Sequence, residues 1–328
     1  MKTLEQVRAS LKPYPVEVQF PDLSQWKTGN CGIDYIHSFD SGKPGPHVLV
    51  MALTHGNEVS GAIAVDTLLR SGVRPRQGRL SLGFANIQAY QRFDPQDIDA
   101  TRFIDEDMNR VWLPSALDGP RDSAELRRAR ELRPLIDSVD LLLDIHSMHE
   151  ESPPLMMCGA CAKGLEFAQS LGVPATIVAD AGHANGRRMR DYGGFGDAAS
   201  PKNALLIETG QHFSKKSEYV ALDVTARFLI ATQAVAEADV SRFLSQEKPA
   251  PQQCLQVTDP VIAHSMDFSF TDDFRGLERI THAGTVIARD AQREIVTPYD
   301  NCVLIQPSLR HLGQGVTVVR LARDYRHQ

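Results

Sequence analysis

The sequence predicts an α/β fold, a sheet with helices on both faces, followed by a small all-β domain. Three observations carry this. Continuous apolar runs at His47–Thr54, Arg79–Asn86, Asp140–Ser147 and Asn203–Gly210 read as strands covered on both sides. Segments of helical spacing separate them. Beyond a polar, proline-bearing linker at Ser245–Gln253, the segments TVIARD, REIVTPYDNCVLIQ and VTVVRLA alternate or run β-branched between turn residues. We therefore expect one domain over residues 1–244 and a second over 245–328.

Bulk composition narrows the function classes. With 328 residues, 42% hydrophobic and 23% charged, the chain can bury a large core plus a smaller one. No apolar run approaches the roughly 18 residues of a membrane helix. The charged start MKTLEQVRASLKPYPVEVQF does not read as a secretory signal, so a cytoplasmic location is expected. Lys and Arg number 35 against 41 Asp and Glu, a net charge of −6, without a basic stripe interleaved with aromatics, which argues against nucleic acid as partner. An odd count of 5 cysteines suggests no disulfide framework. Cys158 and Cys161 form a lone CxxC and read as small core or strand-end residues.

Taken in order, Val16–Phe20 and Ile33–Phe39 are short strand candidates. After His47–Thr54, Asn57 is placed to cap a helix marked by Val59, Ile63, Val65, Leu68 and Leu69, with Gly72 near its stop. Gly78 introduces the strand Arg79–Asn86. The charged loop Arg92–Arg110 is too long for a mere connection. Arg121–Val139 is helical by its spacing, with Ser123 as cap, and leads into Asp140–Ser147. Leu155–Gly159 and Ala175–Asp180 read as strands flanking a helix at Leu165–Leu171. Ala181–Pro201, rich in Gly and carrying Arg187, Arg188 and Arg190, has the composition of a rim loop. Asn203–Gly210 is a strand, and a helix at Tyr219–Ala238 closes the domain.

Chemistry-bearing residues gather where these strands end. His55 and Glu58 fall in the turn after the first central strand, at the carboxyl edge where open α/β sheets bind ligands. His146 leaves the end of Asp140–Ser147. A hydrolytic zinc site takes three protein ligands from His and carboxylates, and these three supply that set. The spacing HxxE alone occurs by chance in many chains; the convergence of strand ends is what carries the expectation. Glu208, the first charge of its strand, is placed to move a proton.

Four motifs in register then carry a resemblance: HGNE at His55–Glu58, the cluster Arg102, Asp107, Asn109 and Arg110 in RFIDEDMNR, DIH at Asp144–His146, and ETG at Glu208–Gly210. They resemble the succinylglutamate desuccinylase and aspartoacylase family, similar in fold to zinc carboxypeptidases, whose sheet is mixed. The β-rich tail with THAGTVIARD and TPYDNCVL resembles the family's C-terminal domain. The resemblance implies one zinc ion per chain on His55, Glu58 and His146, with Glu208 as general acid/base. It implies that Arg102 polarises the scissile carbonyl, that Asn109 and Arg110 hold a substrate carboxylate, and that Asp107 orients the arginine. The chain departs from the family at Ala198, where members acting on N-acetylaspartate carry an arginine. Either Arg187, Arg188 or Arg190 replaces it, or the substrate carries no second carboxylate.

The expected activity is a zinc-dependent amidohydrolase, a deacylase acting on a small N-acyl amino acid or related N-acyl amine carrying a carboxylate. The alternatives are a metallocarboxypeptidase acting on short peptides and a non-catalytic ligand-binding protein. Family likeness also suggests a homodimer. His183 and His212 are expected at the rim, His149 as a weaker rival to His146, and Tyr299 as a turn residue that could cap the cleft.

Overall fold

All six positions of the strand His47–Ala52 are buried, as its unbroken apolar run requires. The structure, a computed structural model, describes residues 3–94, 97–99, 101–182 and 186–325; His183 lies outside the described residues. The chain divides into two compact units. The larger comprises Val16–Ser147 and Pro154–Gln252; the smaller comprises Met1–Pro15, Met148–Pro153 and Gln253–Gln328.

The sheet of the larger unit contains β1 (Ile36–Asp40), β2 (His47–Ala52), β3 (Arg79–Phe84), β4 (Leu141–Met148), β5 (Leu155–Met157), β6 (Thr176–Ala179) and β7 (Asn203–Gln211). Their spatial order is β1-β3-β2-β4-β7-β5-β6. β2 runs parallel to β3 and β4, and β5 parallel to β6, whereas β1 is antiparallel to β3 and β5 to β7. The sheet is mixed. Leu49 and Met51 of β2 pack with Leu126, Leu132 and Ile136 of the helix Ala124–Ser138. Ala52 points the other way, where a side chain on Gly61 of the helix Val59–Arg70 would come within 3.1 Å of it. Helices thus cover both faces.

Local chemistry moved several expected boundaries. Val16–Phe20 forms no strand: Pro13, Pro15 and Pro21 around it lack ladder donors, and Glu17 N donates instead to Phe213 O at 2.9 Å. Tyr35 at φ 61° delays β1 to Ile36. Glu58, not Asn57, takes the N-cap position of the helix Val59–Arg70, while Asn57 Nδ2 donates to Ile98 O at 3.3 Å. Ser123 does cap its helix, Oγ accepting from Leu126 N at 3.0 Å. The last long helix runs over Lys215–Ala231, and Gln233 at φ 57° separates it from a short one at Glu237–Val240.

The smaller unit contains two antiparallel sheets. β8 (Gln253–Ile262), β9 (Phe268–Phe270), β10 (Glu278–Ile280), β11 (Val286–Asp290), β12 (Arg293–Val296), β13 (Cys302–Ile305) and β14 (Thr317–Asp324) pair in the orders β8-β14-β13-β10 and β12-β11-β9. The strands expected in the tail all form; β8, β9 and β10 are additional. Val261, Phe268, Ile287, Leu304 and Leu321 build its core, with Tyr299 packed against it. The Tyr299 hydroxyl lies 2.6 Å from Thr258 Oγ1. Burial pushes that phenol up to about 12. Among the described residues no helix is long and apolar enough to cross a membrane.

Candidate metal centre and active site

His55, Glu58 and His146 come together as a buried group whose ligand atoms all lie within 4.8 Å of one another. The turn that carries the first two is fixed by Gly56. Any side chain there would meet Thr101 O at 2.4 Å and the backbone of Ala89 and Tyr90 at 2.5 Å. Gly56 N donates to Arg102 O at 3.0 Å, joining this turn to the arginine loop. His146 reaches the same place from β4, and its i−2 neighbour Asp144 shares its face.

Each histidine turns one nitrogen to Glu58 and the other to an aspartate. His55 Nδ1 lies 2.7 Å from Glu58 Oε1 and its Nε2 lies 3.0 Å from Asp107 Oδ1. His146 Nδ1 lies 2.7 Å from Glu58 Oε2 and its Nε2 lies 2.9 Å from Asp144 Oδ2. Thr54 Oγ1 donates to Asp144 Oδ1 at 2.9 Å, and Thr209 Oγ1 donates to His146 O at 3.1 Å. Carboxylates behind the far nitrogens fix the tautomer and raise the basicity of histidine ligands. The sequence names Asp144 only as part of the motif DIH, without a role, and gives Thr54 none, although the DxH spacing on a strand places Asp144 and His146 on one face.

The donor set fits a zinc ion. Two imidazoles and one carboxylate converge with their ligand atoms within 4.8 Å of one another, which is the composition of hydrolytic zinc sites. Glu58 Oε2 is buried and makes no hydrogen bond of good geometry, despite the closeness of His146 Nδ1. That is the orphaned acceptor a cation would satisfy. The electrostatics agree. Burial works to raise the Glu58 carboxyl, but the His146 and His55 charges outweigh it and hold it well below the usual carboxylate range. Burial works to lower His146, but Asp144 and Glu58 outweigh it and hold the imidazole well above its ordinary value. The pocket favours positive charge.

Glu208 is buried on β7 and shares its parity with Ala204, which packs in the cluster around the helix Ala124–Ser138. It therefore faces the side of the sheet that His146 faces, since Leu142 of β4 belongs to the same cluster. Arg102 Nη1 lies 3.4 Å from Glu58 Oε1, and its Nη2 lies 3.4 Å from Asp107 Oδ2. Asp107 was expected to orient Arg110; the contact exists at 3.6 Å, but the tighter one is to His55. Burial opposes the Asp107 charge, and His55, Arg110 and Arg102 together hold its carboxyl well below the usual range. Asn109 is buried, its Nδ2 3.4 Å from His146 Nε2, and its Oδ1 accepts from Met189 N at 3.4 Å. Arg110 stands half-buried beside it.

The three arginines of the rim loop separate cleanly. Arg187 is exposed. Arg190 is buried away in structure: it pairs with Asp191, and its Nη2 donates to Cys158 O at 2.6 Å and Ala204 O at 3.2 Å. Arg188 is buried and pairs with Asp180 at 2.5 Å. Burial lowers its pKa, but the charges of Asp180, Asp191 and Glu208 raise it overall. His212, expected at the rim, is instead fully buried with Nδ1 2.7 Å from Ser147 Oγ. His149 is no part of the His-Glu-His group; its ring lies 4.6 Å from that of His311.

Residues 44–227 match the succinylglutamate desuccinylase/aspartoacylase catalytic domain. The chain belongs to that family. The match contains every candidate site residue, from His55 to Glu208, and members of the family are hydrolytic deacylases. Among solved structures, succinylglutamate desuccinylase from Vibrio cholerae superposes with a TM-score of 0.64 at 18% identity, covering 89% of this chain and 86% of that one. A succinylglutamate desuccinylase/aspartoacylase from Rhodobacter sphaeroides gives 0.64 at 17% identity, covering 90% of each chain. The product-bound ectoine utilization protein of Ruegeria pomeroyi gives 0.58 at 17%, covering 88% of each. At such identities the likeness establishes the fold. Comparison with curated proteins by sequence finds no match.

Proposed function

We propose that this family member is a zinc-dependent deacylase that cleaves the amide bond of a small N-acyl amino acid, or a related N-acyl amine carrying a carboxylate. The observation that carries the reading is the pair of histidines set between one shared glutamate and two outer aspartates, with Arg102 against the same glutamate. His55, Glu58 and His146 would hold the metal, which when bound polarises a carbonyl and acidifies water to a pKa of about 7.

The remaining work falls to side chains of the chain itself. Arg102 donates N–H groups to the carbonyl oxygen as it gains charge, and its approach to Glu58 and Asp107 fixes where those groups stand. Glu208 takes the proton of the attacking water and returns it to the amide nitrogen, so that the amine leaves neutral. Arg110 receives the substrate carboxylate, a planar fork being suited to it. Of the three rim arginines, Arg188 is the one we assign to a second anionic group on the substrate. Arg187 points to solvent and Arg190 is spent on backbone carbonyls.

A panel of N-acetyl, N-formyl and N-succinyl amino acids, assayed with zinc-loaded protein alongside a peptide digest, tests the reading. Turnover of one acyl class, with about one zinc per chain, is the expected result. Protein that binds no divalent metal and cleaves none of the panel would overturn it. Arg188→Lys should change the ratio of N-succinyl to N-acetyl turnover.

A further inference from the structure

Glu125 opens the helix Ala124–Ser138, yet its side chain is fully buried. Its carboxylate is saturated by three backbone groups of the arginine loop and by Asn86. Oε1 accepts from Ile104 N at 2.7 Å and from Asn86 Nδ2 at 2.9 Å, and Oε2 accepts from Asp105 N at 3.1 Å and Glu106 N at 3.2 Å. Two further bonds fasten the same stretch to the start of the helix. Asp105 Oδ2 accepts from Ala124 N at 2.7 Å, and Ser123 Oγ donates to Glu106 Oε1 at 2.6 Å.

A glutamate serving only the helix dipole would stay in water, where the interaction comes without desolvation. Burying a carboxylate is costly unless its lone pairs are filled, and three successive backbone N–H groups fill them here. Those three residues lie midway along the loop. Arg102 precedes them; Asp107, Asn109 and Arg110 follow. The fourth bond runs to Asn86, just past the end of β3, which ties the arrangement to the sheet.

We infer that Glu125 is a positioning residue for the deacylase reaction: by fixing the backbone of residues 104–106 it sets where Arg102 meets the substrate. The inference rests on the reading of Arg102 given above. A displacement of one ångström in such a group costs about a hundredfold in rate.

The test uses the full chain loaded with zinc, comparing wild type, Glu125→Gln, Arg102→Ala, the double variant, and Asp105→Ala. Asp105 is exposed, so its variant folds even if loss of the buried carboxylate proves disruptive. Amide hydrogen exchange across residues 103–107, zinc content and steady-state kinetics on the fastest-cleaved panel substrate are the readouts. In Glu125→Gln, exchange at 104–106 should rise about tenfold or more. Zinc content should hold, and kcat/KM should fall about a hundredfold. In the Arg102→Ala background the same change should cost only about twofold further, because the group being positioned is gone. Asp105→Ala should move exchange and rate in the same directions by smaller factors.

Unchanged exchange at 104–106 in both variants overturns the inference. So does an equal loss of rate with and without Arg102, or loss of zinc with Glu125→Gln. If wild type cleaves nothing in the panel, the deacylase reading fails on its own, and unchanged or faster exchange still decides against or for the anchoring.

Discussion

His55, Glu58, His146 and Glu208 sit on, or one short turn beyond, strands buried at all but one position, whereas Arg102, Asp107 and Arg110 stand on a stretch with no strand and a single 3₁₀ turn. The first set inherits its geometry from sheet hydrogen bonds and packing on both faces. The second is held by side chains reaching backbone, with Glu125 at their centre. The difference teaches a division of labour. Changes at His55, Glu58 and His146 should register as lost metal, and changes at Arg102 and Arg110 as lost rate with metal retained.

The largest effect should come from His146→Ala. Removing one imidazole leaves Glu58 and Asp144 facing each other without the group that joins them. Zinc content should drop well below stoichiometric by elemental analysis, and turnover by roughly a thousandfold or more. Full turnover with metal still bound would mean that the strand-end set is not the metal centre.

Next is Arg102→Ala, which sharpens the comparison from the other side. Loss of a donor to a developing oxyanion costs about 3 kcal/mol, so kcat should fall by about a hundredfold to a thousandfold. Zinc stoichiometry should remain that of wild type. Parallel loss of zinc would show that the contact of Arg102 with Glu58 matters to the metal, and the two regions would then be one.

Asp144→Asn should come third. The asparagine keeps the bulk but loses the charge behind His146 Nε2, which typically weakens metal affinity by about 10-fold to 100-fold. A chelator competition titration reads this directly, and a shift smaller than about twofold would deny Asp144 its role behind the ligand.

The same contrast explains what could be read from the sequence. His47–Thr54 and Asp140–Ser147 announce themselves because strands covered on both faces must be apolar throughout, and a charged residue at the end of such a run stands out. The His-Glu-His group followed from that. Asp144 lies inside the run and is legible only as part of the motif DIH, its role behind His146 following from a position two residues earlier on the same face. Glu125 offered no signal at all: in a helix whose first turn is acidic, a buried anchor and a solvated charge have the same spelling. Val16–Phe20 failed for a related reason. Its alternation suits a strand, but the flanking prolines deny it a partner. The loop containing Arg102–Arg110 stands out by length and charge, but the roles of its residues were legible only through family resemblance, because side-chain bonds to backbone leave no periodic trace.

The smallest effect should belong to Arg187→Ala. The backbone of Arg187 is committed, its carbonyl accepting from Trp112 N at 3.2 Å beside a bridge to Val111, but its side chain is exposed. Removing that side chain leaves the docked backbone in place, so stability should stay within about 0.5 kcal/mol of wild type. kcat/KM should change by less than about twofold, since a screened surface charge contributes little. Arg188, one residue on, is buried against Asp180 and feels the charge of Glu208, so the neighbouring positions form an internal control. If Arg187→Ala alters the preference among acyl groups more than Arg188→Lys does, the substrate is read from the exposed surface of the rim loop. The assignment of a second anionic subsite to Arg188 then falls, while the metal centre and Arg102 stand unaffected.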